Sequence, residues 1–83
     1  MDLSTCNFFY MSERDVLKEF GSNLRAERNR YGFSQDELAD KMKICAGKHI
    51  GKIERGETNP KLTTIIALMK ALNIGFDKLF EIK

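Results

Sequence analysis

What this sequence lacks narrows the field first. Its 83 residues include one proline, no tryptophan, one histidine and two cysteines. A single proline excludes collagen-like and Pro-rich linker chains. Cys6 and Cys45 are too few for a disulfide scaffold and fit a reducing compartment. The longest unbroken apolar run, Ile65 to Met69, is far too short to span a bilayer. Near the N-terminus stands Asp2 rather than a basic stretch, and no long apolar segment follows, which predicts no secretory signal. Neither a Walker-type loop nor a dinucleotide fingerprint occurs, and one histidine leaves no acid–base network. The chain therefore reads as a non-enzyme without a cofactor. The excess of one charge sign is also small: the formal net charge is +2, which permits a local basic face but not a polyanion sponge.

What is present is a helical pattern. With 42% hydrophobic and 31% charged residues, the chain is suited to one small core. Residues 1–11 show no helical period and end in the cluster Phe8, Phe9 and Tyr10. They read either as a frayed leader or as an arm packing on the domain or on a second subunit. Residues 12–83 form the domain. Ser12 and Asp15 stand in capping positions, and Val16, Leu17, Phe20, Leu24 and Tyr31 recur as one apolar stripe. Gly21 interrupts that stripe at a cost of about 1 kcal/mol, and Gly32 is placed to end the helix.

Ser34-Gln35-Asp36-Glu37 makes a full capping box, followed by the buried face Leu38, Ala39 and Met42. The stretch from Lys43 to Gly47 reads as a turn. A third helix points Ile50 and Ile53 inward and leaves Lys48, His49, Lys52 and Arg55 outward, until Gly56 stops it. After the Asn59-Pro60 loop, a fourth helix over about Leu62 to Leu72 has core positions Leu62, Ile65, Ile66, Leu68, Met69 and Leu72. Asn73 and Gly75 break it, and Phe76, Leu79 and Phe80 belong to a last short helix. No clean period-two run predicts a strand.

Two short helices with a tight turn, the second bearing outward polar residues, are a helix-turn-helix candidate. The stretch Phe33-Ser34-Gln35-Asp36-Glu37-Leu38-Ala39-Asp40-Lys41-Met42 carries the pattern. So do Ile50-Gly51-Lys52-Ile53-Glu54-Arg55-Gly56-Glu57-Thr58-Asn59-Pro60 and the closing segment Ala71 to Phe80. Together they resemble the Cro/repressor-type helix-turn-helix family, also called the xenobiotic-response-element family, over about Phe20 to Phe80.

The resemblance implies an all-α, five-helix, lambda-repressor-like DNA-binding domain acting as a transcriptional regulator. The family's members include repressors, restriction-modification controllers and antitoxins. It implies a recognition helix over about residues 47–55 in the major groove, with Gly47, Lys48 and Lys52 at reading positions and His49 near the backbone. Gln35, Asn59, Lys61 and Thr63 would face phosphates. Arg28 and Glu54 match a pair that locks the first helix to the third. A homodimer on a palindromic double-stranded operator follows; its seam is expected at Ile74, Phe76, Leu79 and Phe80, which offer more apolar surface than a short last helix can hide, unless all of them fold back into the monomer core. A cytoplasmic, nucleoid-associated location, away from membranes, follows too.

The chemistry of those residues agrees. Lysine reaches guanine O6 and N7, and a good contact discriminates by about 1–3 kcal/mol. Phosphate contacts set register without reading sequence. Helix starts at Ser34 and Leu62 offer free amides. One departure stands out: the chain has one residue more between Met42 and Ile50 than the family's spacing, so Ile44 and Cys45 compete for one apolar turn position. Gly47 brings no side chain to read with, which puts more weight on Lys48 and Lys52. Cys45 and His49 have helical metal-pair spacing, but tetrahedral zinc needs more soft ligands than Cys6 alone adds, so no metal is expected. The alternative to a regulator is an antitoxin, a protein-interaction module on the same fold.

Overall fold

The computed structural model describes residues 11–43 and 47–81, and its helices are numbered within that range. Helix α1, Glu13–Tyr31, opens on Ser12, whose hydroxyl accepts from the Asp15 amide at 3.1 Å. Glu13 and Asp15 in its first turn and Arg28 and Arg30 in its last complement the helix dipole. Gly32 closes it in the left-handed region at φ 77°, where the Gly32 amide reaches the Asn29 carbonyl at 3.0 Å.

Helix α2, Gln35–Met42, carries both halves of its capping box. The Glu37 amide donates to Ser34 Oγ at 3.1 Å, and the Ser34 amide donates to Glu37 Oε1 at 2.8 Å. Lys43 ends α2 at φ 61°, an αL position that costs a side-chain-bearing residue about 1–2 kcal/mol relative to glycine. Helix α3 spans Gly47–Glu54, α4 Leu62–Leu72 and α5 Phe76–Leu79. The described residues are thus all-helical, with five helices and no strand.

The core gathers Phe20 and Leu24 from α1, Leu38, Ala39 and Met42 from α2, Ile50 and Ile53 from α3, Leu68 and Leu72 from α4, and Leu79 from α5. Several sequence expectations are corrected here. Tyr31 is 42% exposed and stacks on Phe33, because α1 outruns the core at its last turn. Leu62 and Ile66 are 65% and 41% exposed. Only the Leu68–Leu72 stripe of α4 meets the other helices squarely, with Ile65 and Met69 half-buried beside it. Leu79 is fully buried, so it is a core residue and no part of an exposed seam.

Gly21 is more than an interruption. A Cβ there would lie 2.4 Å from the carbonyl oxygens of both Ile53 and Glu54, so α1 and the end of α3 touch backbone to backbone. Asn23, buried in α1, closes the far end of the fold. Its Nδ2 donates to the Leu79 carbonyl at 3.0 Å and to the Glu81 carbonyl at 2.7 Å. Nothing in the local sequence marks that bond. Phe80 completes the corner, 5.1 Å from Phe20 and 4.3 Å from Phe76 between ring centroids.

Candidate nucleic-acid interface

The geometry of α3 is set by one buried carboxylate. Glu54 ends the helix with a side chain only 3% exposed. Arg28 Nε donates to Glu54 Oε2 at 2.6 Å, and Arg28 Nη2 donates to Oε1 at 3.1 Å. The third donor is Gln35 Nε2, at 3.2 Å from Oε1. Arg28 Nη1 also donates to the Phe33 carbonyl at 2.8 Å, fixing the segment between α1 and α2. The guanidinium is held above its ordinary pKa, first by its hydrogen bond to Glu54, against the opposing effect of burial. One carboxylate therefore joins α1, α2 and α3. A two-pronged arginine–carboxylate contact of this kind fixes orientation as well as distance.

With Ile50 and Ile53 buried, α3 turns Lys48 and Lys52 to solvent one helical turn apart, with His49 half-buried between the two faces. Arg55, also outward, is engaged: its Nε donates to Glu57 Oε2 at 2.8 Å. That bond draws the Glu57 carboxyl below the usual carboxylate range. Gly47 is buried, and the space a Cβ would take is filled by the Asp36 carboxylate. The first reading position inferred from the sequence is therefore turned into α2.

The flanking residues divide. Gln35 spends its side-chain amide on Glu54, an engagement that local sequence does not signal, because its partner lies 19 residues away. The first amides of α2, those of Gln35 and Asp36, have no intrahelical acceptor by helix geometry. Lys61 N-caps α4 without a side-chain cap, and the first turn of α4 carries no acidic residue. Lys61, Leu62 and Thr63 are exposed at the start of α4, a helix N-terminus without a side-chain cap or an acidic first turn, the kind of end that favours an anion. Asn59 is exposed, with its Nδ2 3.5 Å from Glu13 Oε1.

At the other end, Phe76 is 52% exposed while Ile74 and Phe80 are half-buried against the core. Phe8, Phe9, Tyr10, Ile44 and Cys45 lie outside the described residues, so neither the arm nor a Cys45–His49 pair is placed. Among the described residues, no group of three His, Cys, Asp or Glu side chains is arranged to hold a metal ion. Likewise, no described helix is long and apolar enough to cross a membrane.

Comparison with known proteins bears on this arrangement. A family model described as helix-turn-helix matches residues 24–79, a stretch that runs from the middle of α1 to the end of α5. The control protein C.SmaI of Serratia marcescens is 40% identical over 73 residues, covering 84% of this chain and 79% of that protein. The crystal structure of the restriction-modification controller protein C.AhdI from Aeromonas hydrophila superposes with a TM-score of 0.73 at 38% identity, over 77% of this chain and 96% of that one. The hypothetical transcription factor NHTF from Neisseria gives a TM-score of 0.73 at 27% identity, over 84% of this chain and 79% of its own.

Proposed function

The chain belongs to the helix-turn-helix family of DNA-binding transcription regulators, and from that premise we propose that it binds a palindromic double-stranded operator as a homodimer. The observation that carries the reading is the Arg28–Glu54–Gln35 lock, which holds α3 while its outward face presents Lys48 and Lys52. In this reading α3 enters the major groove. Lys48 and Lys52 donate to base acceptors, and His49 lies by the backbone. Lys61, Thr63 and Asn59 meet phosphates, as do the first amides of α2. Gly47 contributes room rather than a contact, and Gln35 contributes its backbone amide rather than its side chain.

Likeness to two controller proteins supports a restriction-modification controller over an antitoxin. The family and these relatives are regulators, which favours binding over catalysis. A dimer suits the size of the reading helix, because one short helix buries little on DNA, while two half-sites about 34–36 Å apart multiply the affinity. Phe76, with Ile74 and Phe80 at its edge, is the proposed seam. We assign residues 12–83 to the domain and residues 1–11 to an N-terminal arm or leader, and we place the protein with the cytoplasmic nucleoid.

Selection of bound duplexes from a random library, followed by a salt titration on the selected and a scrambled duplex, tests the reading. A steep salt dependence with a clear preference for the selected duplex is expected. Equal affinity for both duplexes would refute sequence-specific regulation.

A further inference from the structure

Gly47 and Gly51 stand four residues apart on α3, and both are buried. At helical spacing they form one strip of bare backbone. That strip lies against the first turn of α2. A Cβ at Gly47 would fall 1.9 Å from Asp36 Oδ1, 2.9 Å from Asp36 Cγ and 3.0 Å from Asp36 Cα. At Gly51 it would fall 3.0 Å from Arg55 Nη1 and 3.1 Å from Gln35 Oε1. Glycine weakens a helix interior relative to alanine. Gly51 carries that weakening inside α3, while Gly47 is the helix's first residue; an added Cβ would overlap the Asp36 side chain at Gly47 and press on the side-chain ends of Arg55 and Gln35 at Gly51.

We propose that Gly47 and Gly51 are positioning residues for base reading: they seat α3 on the first turn of α2 and so set how far Lys48 and Lys52 project. The proposal rests on α3 being the recognition helix. Hydrogen bonds to base edges tolerate little displacement, because they weaken steeply once distance and angle leave a narrow range. Attraction to phosphates acts through space and survives a small shift. A side chain at either glycine therefore pushes the reading lysines off the base edges while leaving general DNA attraction in place. A merely structural defect acts differently, lowering the folded fraction and weakening every duplex alike.

The experiment uses the full chain with Gly47→Ala, Gly51→Ala and the double variant Asp36→Ala/Gly47→Ala. Thermal melting by circular dichroism first establishes a temperature at which each is folded. Affinity is then measured for a duplex selected on the unsubstituted chain and for a scrambled one. Gly47→Ala is expected to cut the selected-to-scrambled ratio by about tenfold or more, the scale of one lost base contact, while scrambled binding changes little. Adding Asp36→Ala removes Oδ1 and Cγ from the collision and should restore much of the ratio. Gly51→Ala presses on the ends of the Arg55 and Gln35 side chains by only a few tenths of an ångström, so it is expected to fold and to cut the ratio by a smaller factor.

An unchanged ratio in folded Gly47→Ala, or equal losses on both duplexes, overturns the proposal. Should Gly47→Ala melt below the assay temperature, an unchanged ratio in Gly51→Ala overturns it. If the unsubstituted chain prefers no duplex, the regulator reading itself fails, and the inference with it. If that chain is selective and its variants keep the ratio, the inference fails alone.

Discussion

Asn23 in α1 and Leu79 in α5 are joined by a side-chain amide to backbone carbonyl bond of 3.0 Å that spans 56 residues of sequence. The same amide reaches Glu81. A helix as short as α5 cannot satisfy its own last carbonyls, so Asn23 does part of that work from inside the core. Asn23→Ala should leave buried acceptors unpaired and cost ~1–3 kcal/mol. Asn23→Asp should cost more, since a carboxylate would face two carbonyl oxygens. Urea melting of both variants checks the order, and an Asn23→Asp chain as stable as the original would sink this account.

Arg28 and Glu54 should be coupled well beyond an ordinary surface pair. Their side chains are 11% and 3% exposed, so removing either leaves a buried charge without its partner. Each single alanine variant is expected to lose ~3–5 kcal/mol, with the double variant losing much less than the sum. Coupling below about 0.5 kcal/mol in a double-mutant cycle would make the contact incidental.

Glu37 predicts a feature of the acid limb. Its carboxyl is held below the usual range by the Ser34 backbone amide and then by the Ser34 hydroxyl. A depressed folded-state pKa means stability that is present above the unfolded value of about 4.3 and lost as pH falls through the folded value. The difference in melting temperature between the unsubstituted chain and Glu37→Gln should therefore shrink on going from neutral pH toward about pH 3. A difference that stays constant over that range would exclude Glu37 as its source.

On DNA, Lys52→Ala should weaken the selected duplex more than a scrambled one and relax preference at one base position. Lys61→Ala should weaken both alike and lower the salt slope by about 1. Both affinities measured across a salt series decide the roles. Equal loss on both duplexes for Lys52→Ala would remove it from the base-reading set.

The proposed dimer rests on Phe76. Phe76→Glu should abolish dimers in sedimentation equilibrium without removing a core residue, whereas Leu79→Ala should destabilise the fold by ~2–5 kcal/mol. A chain starting at Met11 tests the arm in the same experiment. Should the full chain stay strictly monomeric at tens of micromolar, alone and on its best duplex, the dimer would be refuted.

What the sequence made legible was mostly local. The Ser34–Glu37 box, the Ser12 cap and the Gly32 stop each involve residues within four positions, and each forms. The inward faces at Leu38, Ala39 and Met42 and at Ile50 and Ile53 follow from period alone. Periodicity does not say which flank of a helix another helix will cover, so it points Leu62, Ile66 and Tyr31 inward while they lie outward. Contacts between distant elements left no local trace: Asn23 with Leu79, Gln35 with Glu54, and the collision that makes Gly47 a packing position.

The bare contact at Gly21 also has a mechanical meaning. No side chain stands between α1 and the last carbonyls of α3, so no rotamer change is available there to let one helix slide past the other. That close approach resists sliding of α1 past the end of α3. In the proposed complex, adjustment to DNA would then fall less to sliding between these two helices and more to the lysine stems and the duplex itself. Sequences that bend or twist cheaply should be favoured even at base pairs no side chain touches.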